Sequence, residues 1–453
     1  MADVSAKLKD AVSISDGKAQ VKDADSVRGL MDDLIYEAVF NPDEEKRKGL
    51  QRLVIEIAKQ MGAVPASIQS LYEEMGRNYP GFTVPAINIR GLTYDTARVI
   101  FKKAKEKKIG AFIFEIARSE IGYTKQRPVE YSAAVLAAAV KEGFIGPVFI
   151  QGDHFQLIRR YYMEDPKPET EYVKGLIKEA IDAEFYNIDL DTSTLVDLDK
   201  EDLKEEQRPN FEAAAELAAF IRSIEPEGIT VSIGGEIGEI GGKNSTPEEL
   251  RAYLDGFNEA FKSGKGVSKL SVQTGTSHGG VVLPDGSLAQ IKIDFETLRE
   301  MSAVARNEYG LSGAVQHGAS TLPDEAFHKF PETTTSEVHL ATGFQNIMYD
   351  SPALPAAFRE EIYKYLHENF SKEKKEGQTD DQFIYKTRKK GLGALKQKWW
   401  DLPAEVKGPI MKELSDKFEL LFNELKVNGS KELVDKTVKP ALVEKKTPDN
   451  ILD

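Results

Sequence analysis

The chain has 453 residues, 41% of them hydrophobic and 30% charged, which is ordinary for a globular protein. A formal net charge of −14 argues against a nucleic-acid partner, because phosphate binding needs a basic face. Without cysteine there can be no disulfides, and a metal site must use His, Asp, Glu or water. Since the N-terminus has no apolar signal-peptide core and no stretch is long enough to span a membrane, we expect a cytoplasmic protein without a membrane partner.

Residues 1–78 are predicted to form a helical N-terminal extension. Apolar residues recur at helical spacing in 26–40 and 48–64. Asp43 and Glu44 follow Pro42 and indicate where the second of these helices starts. At the other end of the chain, the charged residues 356–453 are predicted to form a helical C-terminal extension and arm.

Between residues 79 and 355, short apolar runs alternate with helical patterns, which indicates βαβ units and a parallel sheet. Eight such units favour a closed (β/α)8 TIM barrel, an α/β fold, over an open doubly wound sheet. The eight runs predicted to be strands are 83–89, 111–117, 147–153, 184–191, 229–238, 269–275, 312–318 and 337–343.

Three of the six histidines stand where predicted strands end. They are His154, His278 and His317, and at each one the apolar run breaks into Gly, Ser or Thr. Because the strands of a parallel barrel all point their C-terminal ends at one mouth, these imidazoles are expected to converge. Three imidazoles can hold a catalytic zinc with its fourth position open. The alternative for each histidine is a hydrogen-bonded structural role.

The order of motifs over residues 80–345 resembles the class II, zinc-dependent ketose-bisphosphate aldolases. The matching segments are VPAINI with Asn88, the pair Asp153-His154, NIDLD with Asp189, GEIGEIGG with Glu236, GTSHGG with His278, and HGAST followed by LPDEAF. The resemblance implies a lyase that cleaves a phosphorylated ketose, fructose 1,6-bisphosphate or a relative, to a triose phosphate and an aldehyde. It implies Zn²⁺ on His154, His278 and His317, and a homo-oligomer, dimeric or larger.

The resemblance also implies residue roles. Asp153 is the expected base, with a hydrogen-bonded partner of a metal ligand or a strand-end cap as alternatives. Glu236 is a catalytic candidate and a fourth or alternate metal ligand, unless it only holds a loop. Asp189 is expected to orient a ligand or to hold a second divalent or monovalent cation. The implied substrate and phosphate contacts are Asn88, Gly279, Gly318, Ser320 and Thr342.

Several positions depart from the family pattern where the substrate would lie. His339 stands for an asparagine, Ala341 for an aspartate, Lys243-Asn244 for a proton-transfer glutamate, and Glu115-Ile116-Ala117 for Gln-x-Ser. His339 is therefore a further catalytic candidate, and fructose 1,6-bisphosphate is in doubt as the substrate. Two other functions stay open: a zinc barrel enzyme of other chemistry, such as an epimerase or a C–C lyase on an acid-bearing sugar, and a non-catalytic aldolase-like subunit.

Three arginines are candidates for anion binding. Arg90 and Arg118 directly follow the first two barrel strands, and we predict that they bind a second anionic group opposite Ser320 and Thr342. The alternative is that they form structural ion pairs with Glu115, Glu120 or another acid. Arg388 lies in a late segment that resembles the family's distal-phosphate segment, although a solvated helix face is also consistent with it.

Overall fold

The computed structural model describes residues 4–238, 243–275, 283 and 292–452. The chain begins outside the barrel, and this first part is not helical throughout. Its elements are α1 (Val4–Ala11), β1 (Val12–Ser15), β2 (Lys18–Val21), α2 (Ala24–Phe40), α3 (Glu44–Gln60), β3 (Ala63–Ala66) and α4 (Gln69–Arg77).

Strands β1 and β2 form an antiparallel hairpin that the sequence prediction of helices missed. Asp16 and Gly17 join them with φ of 56° and 80°. Positive φ at both residues is typical of the two-residue turns that match the twist of paired strands, and Asp-Gly is a preferred sequence for them. The Asp-Gly pair between two short alternating segments was therefore the signal for this hairpin.

Eight parallel strands follow and close into a barrel, because β11 pairs with β4 and β6 pairs with β7. The predicted (β/α)8 fold is thus confirmed, and each predicted run overlaps one strand, although β6 extends beyond its run at both ends. The strands are β4 (Val84–Asn88), β5 (Ile113–Ala117), β6 (Gly146–Gln156), β7 (Asn187–Asp191), β8 (Ser232–Glu236), β9 (Lys269–Ser271), β10 (Ala314–Gln316) and β11 (Glu337–Leu340).

Helices surround the barrel and extend from it on the C-terminal side. The helices within the barrel segment are α5 (Thr93–Lys107), α6 (Arg118–Thr124), α7 (Pro128–Glu142), α8 (Arg159–Glu164), α9 (Pro166–Asp182), α10 (Leu203–Ile224), α11 (Pro247–Ala260), α12 (Phe295–Tyr309), α13 (Lys329–Glu332) and α14 (Thr342–Asp350). Those after it are α15 (Ala356–Phe370), α16 (Asp380–Thr387), α17 (Gly391–Ala394), α18 (Lys396–Trp400), α19 (Ala404–Glu424) and α20 (Lys431–Thr437). Among the described residues, no helix is long and apolar enough to cross a membrane.

Both extensions pack onto the barrel helices. Helix α7 is buried over residues 131–140 and contacts α2, α3 and α5, so its alanine-rich sequence suits close approach on several sides. Helix α19 packs along α5, and the ring of its Phe418 lies 4.8 Å from the ring of Phe344 in α14. Apolar burial of this kind is the main favourable term that attaches an extension to a barrel.

The interior of the barrel is charged and centres on Lys269 of β9. Its Nζ lies 3.0 Å from the carboxylate of Asp189 and 2.8 Å from Oε1 of Gln151, and it also donates to Glu337. Tyr72 of α4 donates its hydroxyl to the other oxygen of Glu337, so α4 covers the N-terminal end of the barrel. These side chains are all nearly inaccessible to solvent, and the charges stabilise the fold only as a paired set.

The titration of the acids reflects this pairing. Burial opposes ionisation of Glu337, but the adjacent Lys269 and His339 together outweigh it and lower the pKa of Glu337 to about 2. Burial raises the pKa of Asp189 to about 6, although Lys269 acts in the opposite direction. Asp189 and Glu337 are therefore both counter-ions of Lys269.

We predict that Lys269→Met destabilises the protein by roughly 3–5 kcal/mol, because it leaves buried carboxylates without their cation. The free energy of unfolding from denaturant titration measures the effect. Lys265→Met is the control: its ion pair with Glu73, at 3.1 Å, is exposed and should contribute less than about 1 kcal/mol. Equal effects of the two substitutions would show that the interior pairing does not stabilise the barrel.

Candidate active site

A cavity of about 720 Å³ opens at the C-terminal ends of the barrel strands. This is the end at which barrel enzymes place their active sites. The sequence-predicted residues that line it are Asn88, Arg90, Arg118, Asp153, His154, Glu236, Gly318, Ser320, His339 and Thr342. The predicted residues His278 and Gly279 lie outside the described residues.

An irregularity in β6 brings two consecutive side chains to the cavity. The register between β6 and β7 shifts between Gly152 and Phe155, and His154 has a φ of 41°. In a regular strand, neighbouring side chains point to opposite faces, so Asp153 and His154 could not both face the mouth. The bulge removes this restriction, and both residues line the cavity.

Two histidines and a carboxylate form a candidate metal site. His154 Nδ1 lies 3.4 Å from Glu236 Oε2, and His317 Nδ1 lies 4.0 Å from the same oxygen. The ring centroids of His154 and His317 are 4.3 Å apart, and one potential ligand atom from each of the three residues lies within 4.8 Å of the others. Imidazole nitrogens and a carboxylate oxygen are ligands that zinc prefers, so this donor set fits the metal.

The surrounding carboxylates favour a cation at this position. Although burial lowers the pKa of His154, the charges of Asp153 and Glu236 and a hydrogen bond to Asp191 raise it well above its usual value. Burial, together with repulsion from Asp191, raises the pKa of Glu236 to about 7. A site that attracts protons this strongly has an excess of negative charge that a metal ion would neutralise.

Asp191 is a site residue that sequence reasoning missed. Its Oδ2 lies 2.9 Å from His154 Nδ1, and its Oδ1 accepts from Ser193. A carboxylate on the ring nitrogen that does not bind the metal typically orients a metal-binding histidine, so this contact on Nδ1 leaves Nε2 of His154 as the nitrogen that would face a metal. The available signal was its spacing: Asp191 follows Asp189 by two residues, so both lie on one face of β7.

A second cluster lies deeper and contains Asp153, Asp189, His317 and His339, whose ligand atoms also lie within 4.8 Å of one another. The positive charge next to Asp189 is the protein's own Lys269, at 3.0 Å. A second cation bound by Asp189 stays a prediction.

His339 occupies the middle of this charged interior. Its Nδ1 lies 3.0 Å from Glu115 Oε2 and 3.3 Å from Asp153 Oδ1, and its Nε2 lies 2.6 Å from Glu337 Oε1. Glu115 and His339, which replace two polar family positions, thus form an ion-pair contact beside Asp153. Burial and the charge of Asp153 raise the pKa of Glu115 to about 7.

Hydroxyl groups converge on another side of the cavity. Ser320 and Thr342 both line it, and Gly343 lets their backbones approach, because a Cβ there would lie 2.4 Å from the carbonyl oxygen of Ser320. The arrangement matches the phosphate site that barrels build after their last two strands.

The sequence analysis placed Arg90 opposite Thr342, but in the structure the two residues are neighbours. Its Nε lies 2.7 Å from Glu120 Oε1, and its Nη1 donates to Thr342 Oγ1 at 3.3 Å. The reason is barrel closure: the first barrel strand pairs with the last, so their ends are neighbours. Arg90 thus adds positive charge to the Ser320–Thr342 side.

Arg118 forms a structural ion pair, as the alternative interpretation expected, and its partner is Glu169. It donates to both carboxylate oxygens of Glu169 and to the carbonyl of Gln156, and its guanidinium lies 4.4 Å from the ring centre of Tyr172. A role for Arg118 in substrate binding stays a prediction.

Arg388 does not line this cavity, which corrects its proposed phosphate role. It is buried, pairs with Asp350, and donates to Asn346 Oδ1 at 2.7 Å, so it is not on a solvated helix face either. The next residue, Lys389, lines the cavity instead. Sequence alone could not separate the three consecutive cations Arg388, Lys389 and Lys390.

The fold and the donor set define a (β/α)8 barrel protein with a candidate metal site at its catalytic mouth. The model of one protein family, fructose-bisphosphate aldolase class-II, matches residues 75–395 and confirms the family that the motifs resemble. The chain belongs to this family.

Two solved structures are similar to this chain at low sequence identity, and the first of them shares its fold. One, from Sinorhizobium meliloti 1021 and described as a probable tagatose 6 phosphate kinase, is 15% identical, with 82% of this chain and 96% of that chain covered and a TM-score of 0.50. A fructose-bisphosphate aldolase from Campylobacter jejuni is also 15% identical, with 81% and 96% covered and a TM-score of 0.47. None of the curated proteins matches the chain in sequence.

We predict that His317→Ala sharply lowers the zinc content of the purified protein, because it removes one of the imidazole ligands. Elemental analysis after dialysis against excess zinc measures this. His367→Ala is the matched control. That histidine is exposed and pairs with Asp380, and both residues belong to the C-terminal extension. Full zinc occupancy in the His317 variant would refute the assigned site.

Proposed function

We propose that the protein is a zinc-dependent aldolase that cleaves a phosphorylated ketose reversibly to a triose phosphate and an aldehyde. The observation that supports this most directly is the bulged end of β6, where Asp153 and His154 face one cavity. A base next to a metal ligand is the arrangement that retro-aldol cleavage needs.

In this proposal, His154, His278 and His317 hold the zinc, with Glu236 as a fourth or alternate ligand. When bound, zinc supplies a Lewis acid that polarises the ketose carbonyl. Asp191 holds the ring of His154 by its 2.9 Å contact and so keeps the ligand in orientation. Asn88 is positioned by donating to Glu120 Oε2 at 2.6 Å.

Asp153 takes the proton of the hydroxyl on the carbon beyond the bond that breaks. The electron pair of the O–H bond then forms the aldehyde carbonyl, and the pair of the broken C–C bond passes to the carbon next to the ketone. That carbon takes up one proton from water to give the triose phosphate, and Asp153 releases the proton that it took, so that the step balances. The cavity buries Asp153 except for 5% of its surface, which limits competing proton exchange with bulk water. His339, 3.3 Å from its Oδ1, restricts where the carboxylate can point.

The phosphate of the ketose binds beside Gly318, Ser320 and Thr342. Both hydroxyls can donate to phosphate oxygens, and Arg90 provides a neighbouring positive charge. Gly279, the other phosphate contact that the resemblance implies, lies outside the described residues.

A second candidate is a zinc enzyme of other chemistry, an epimerase or a C–C lyase on an acid-bearing sugar. The contact between His339 and Glu115, at 3.0 Å, favours it, because these ionisable side chains replace uncharged family residues. The deciding experiment incubates zinc-loaded protein with a panel of ketose phosphates and traps triose phosphate with a coupled dehydrogenase. An isomeric sugar without triose phosphate would support this second candidate. Protein that takes up no zinc and turns over none of the ketose phosphates would support a non-catalytic subunit.

We predict that Asp153→Asn lowers kcat for triose phosphate release by about 10²–10⁴ while zinc content stays unchanged, since the variant loses a base and not a ligand. Stopped assays and elemental analysis on the same preparation test both halves. Asp381→Asn, an exposed change of the same kind, serves as control. Loss of zinc from the Asp153 variant would mean that this carboxylate supports the metal and does not act as the base.

A further inference from the structure

We propose that Lys389, from the C-terminal extension, binds the phosphate group of the substrate and determines the specificity for phosphorylated over uncharged ketoses. The proposal deepens the function proposed above and rests on it for the identity of the substrate. The binding of phosphate itself can be measured without turnover.

The three consecutive cations at residues 388–390 have different environments. Arg388 is paired with Asp350, and Lys390 Nζ lies 2.6 Å from both oxygens of Glu373. Lys389, between them, has no carboxylate within ion-pair distance among the described residues, and it lines the cavity. The turn therefore directs at the site one cation without a carboxylate partner among the described residues. The cations on either side of it are paired with Asp350 and Glu373.

The surroundings of Lys389 make it a receptor for an anion. Its Nζ lies 5.5 Å from the ring centre of Tyr123, another cavity residue. Burial lowers the pKa of Lys389, and the positive charge of Arg90 lowers it further. The nearby Glu120 is already paired with Arg90 at 2.7 Å. A half-buried ammonium in this position costs free energy that a bound anion would offset.

Arg90 and Thr342 place this charge on the phosphate side of the cavity. Arg90 Nη1 donates to Thr342, whereas its Nη2 makes no hydrogen bond to any residue in the described part of the chain. The site offers two cations, Arg90 and Lys389, and one carboxylate, Glu120. A doubly charged phosphate complements these charges better than a singly charged carboxylate ligand would. Lys389 thus supplies from outside the barrel the positive charge that Arg388 was expected to supply.

The test uses the full-length, zinc-loaded protein and titrates it calorimetrically with inorganic phosphate. Lys389→Met should raise the Kd for phosphate roughly tenfold or more, the scale of a lost charged hydrogen bond, whereas Lys389→Arg should stay within about threefold of the parent. Lys390→Met is the control, because its partner Glu373 lies outside the cavity, and its Kd should not change. An unchanged Kd in Lys389→Met would overturn the proposal.

Two further readouts separate this role from a structural one. Lys389→Met should unfold at the same or a higher denaturant concentration than the parent, since it removes an unpaired half-buried charge, and marked destabilisation would indicate a packing role instead. If the protein cleaves ketoses, KM should rise for a phosphorylated ketose and not for its unphosphorylated form, with kcat little changed. A Lys389-dependent phosphate site in a protein without retro-aldol activity would refute the proposed reaction and leave the anion site standing.

Discussion

The barrel of this protein is organised around a buried ammonium, Lys269, held between the carboxylates of Asp189 and Glu337. Charges so far from water are tolerated only when each has a partner of opposite sign and when hydrogen bonds satisfy the remaining donors and acceptors. Gln151 and Tyr72 supply those hydrogen bonds from β6 and from the helix below the barrel. Four strands and α4 are thereby tied to one point, which sets the register of the strands whose ends form the cavity.

The same charged interior extends upward into the candidate active site through His339. This side chain contacts Glu337 below, at 2.6 Å, and Asp153 above, at 3.3 Å. The carboxylate assigned as base is therefore linked through His339 to the network that stabilises the barrel. An uncharged amide at the position of His339 would leave Glu115 and Glu337 without this partner, so the departures from the family pattern at Glu115 and His339 depend on each other.

The outer parts of the chain also contribute to the cavity. Aromatic contacts such as that between Phe344 and Phe418 attach the C-terminal helices to the barrel, and the turn before α17 brings Lys389 to the mouth. Family membership covers residues 75–395 and so includes this turn. The C-terminal extension therefore helps to form the site, besides covering the outside of the barrel.

Sequence patterns by themselves determined the eight strands. Short apolar runs, of the length typical of buried parallel strands, alternated with amphipathic helical patterns. They also indicated that Asp153 and His154 stand at the end of a strand, and the family resemblance added Glu236; all three line the cavity. Only the tertiary structure decided that a bulge turns two neighbouring side chains to one face, and that closure of the barrel sets Arg90 beside Thr342. These relations depend on local backbone geometry and on pairing between distant strands, and neither leaves a periodic signal in the sequence.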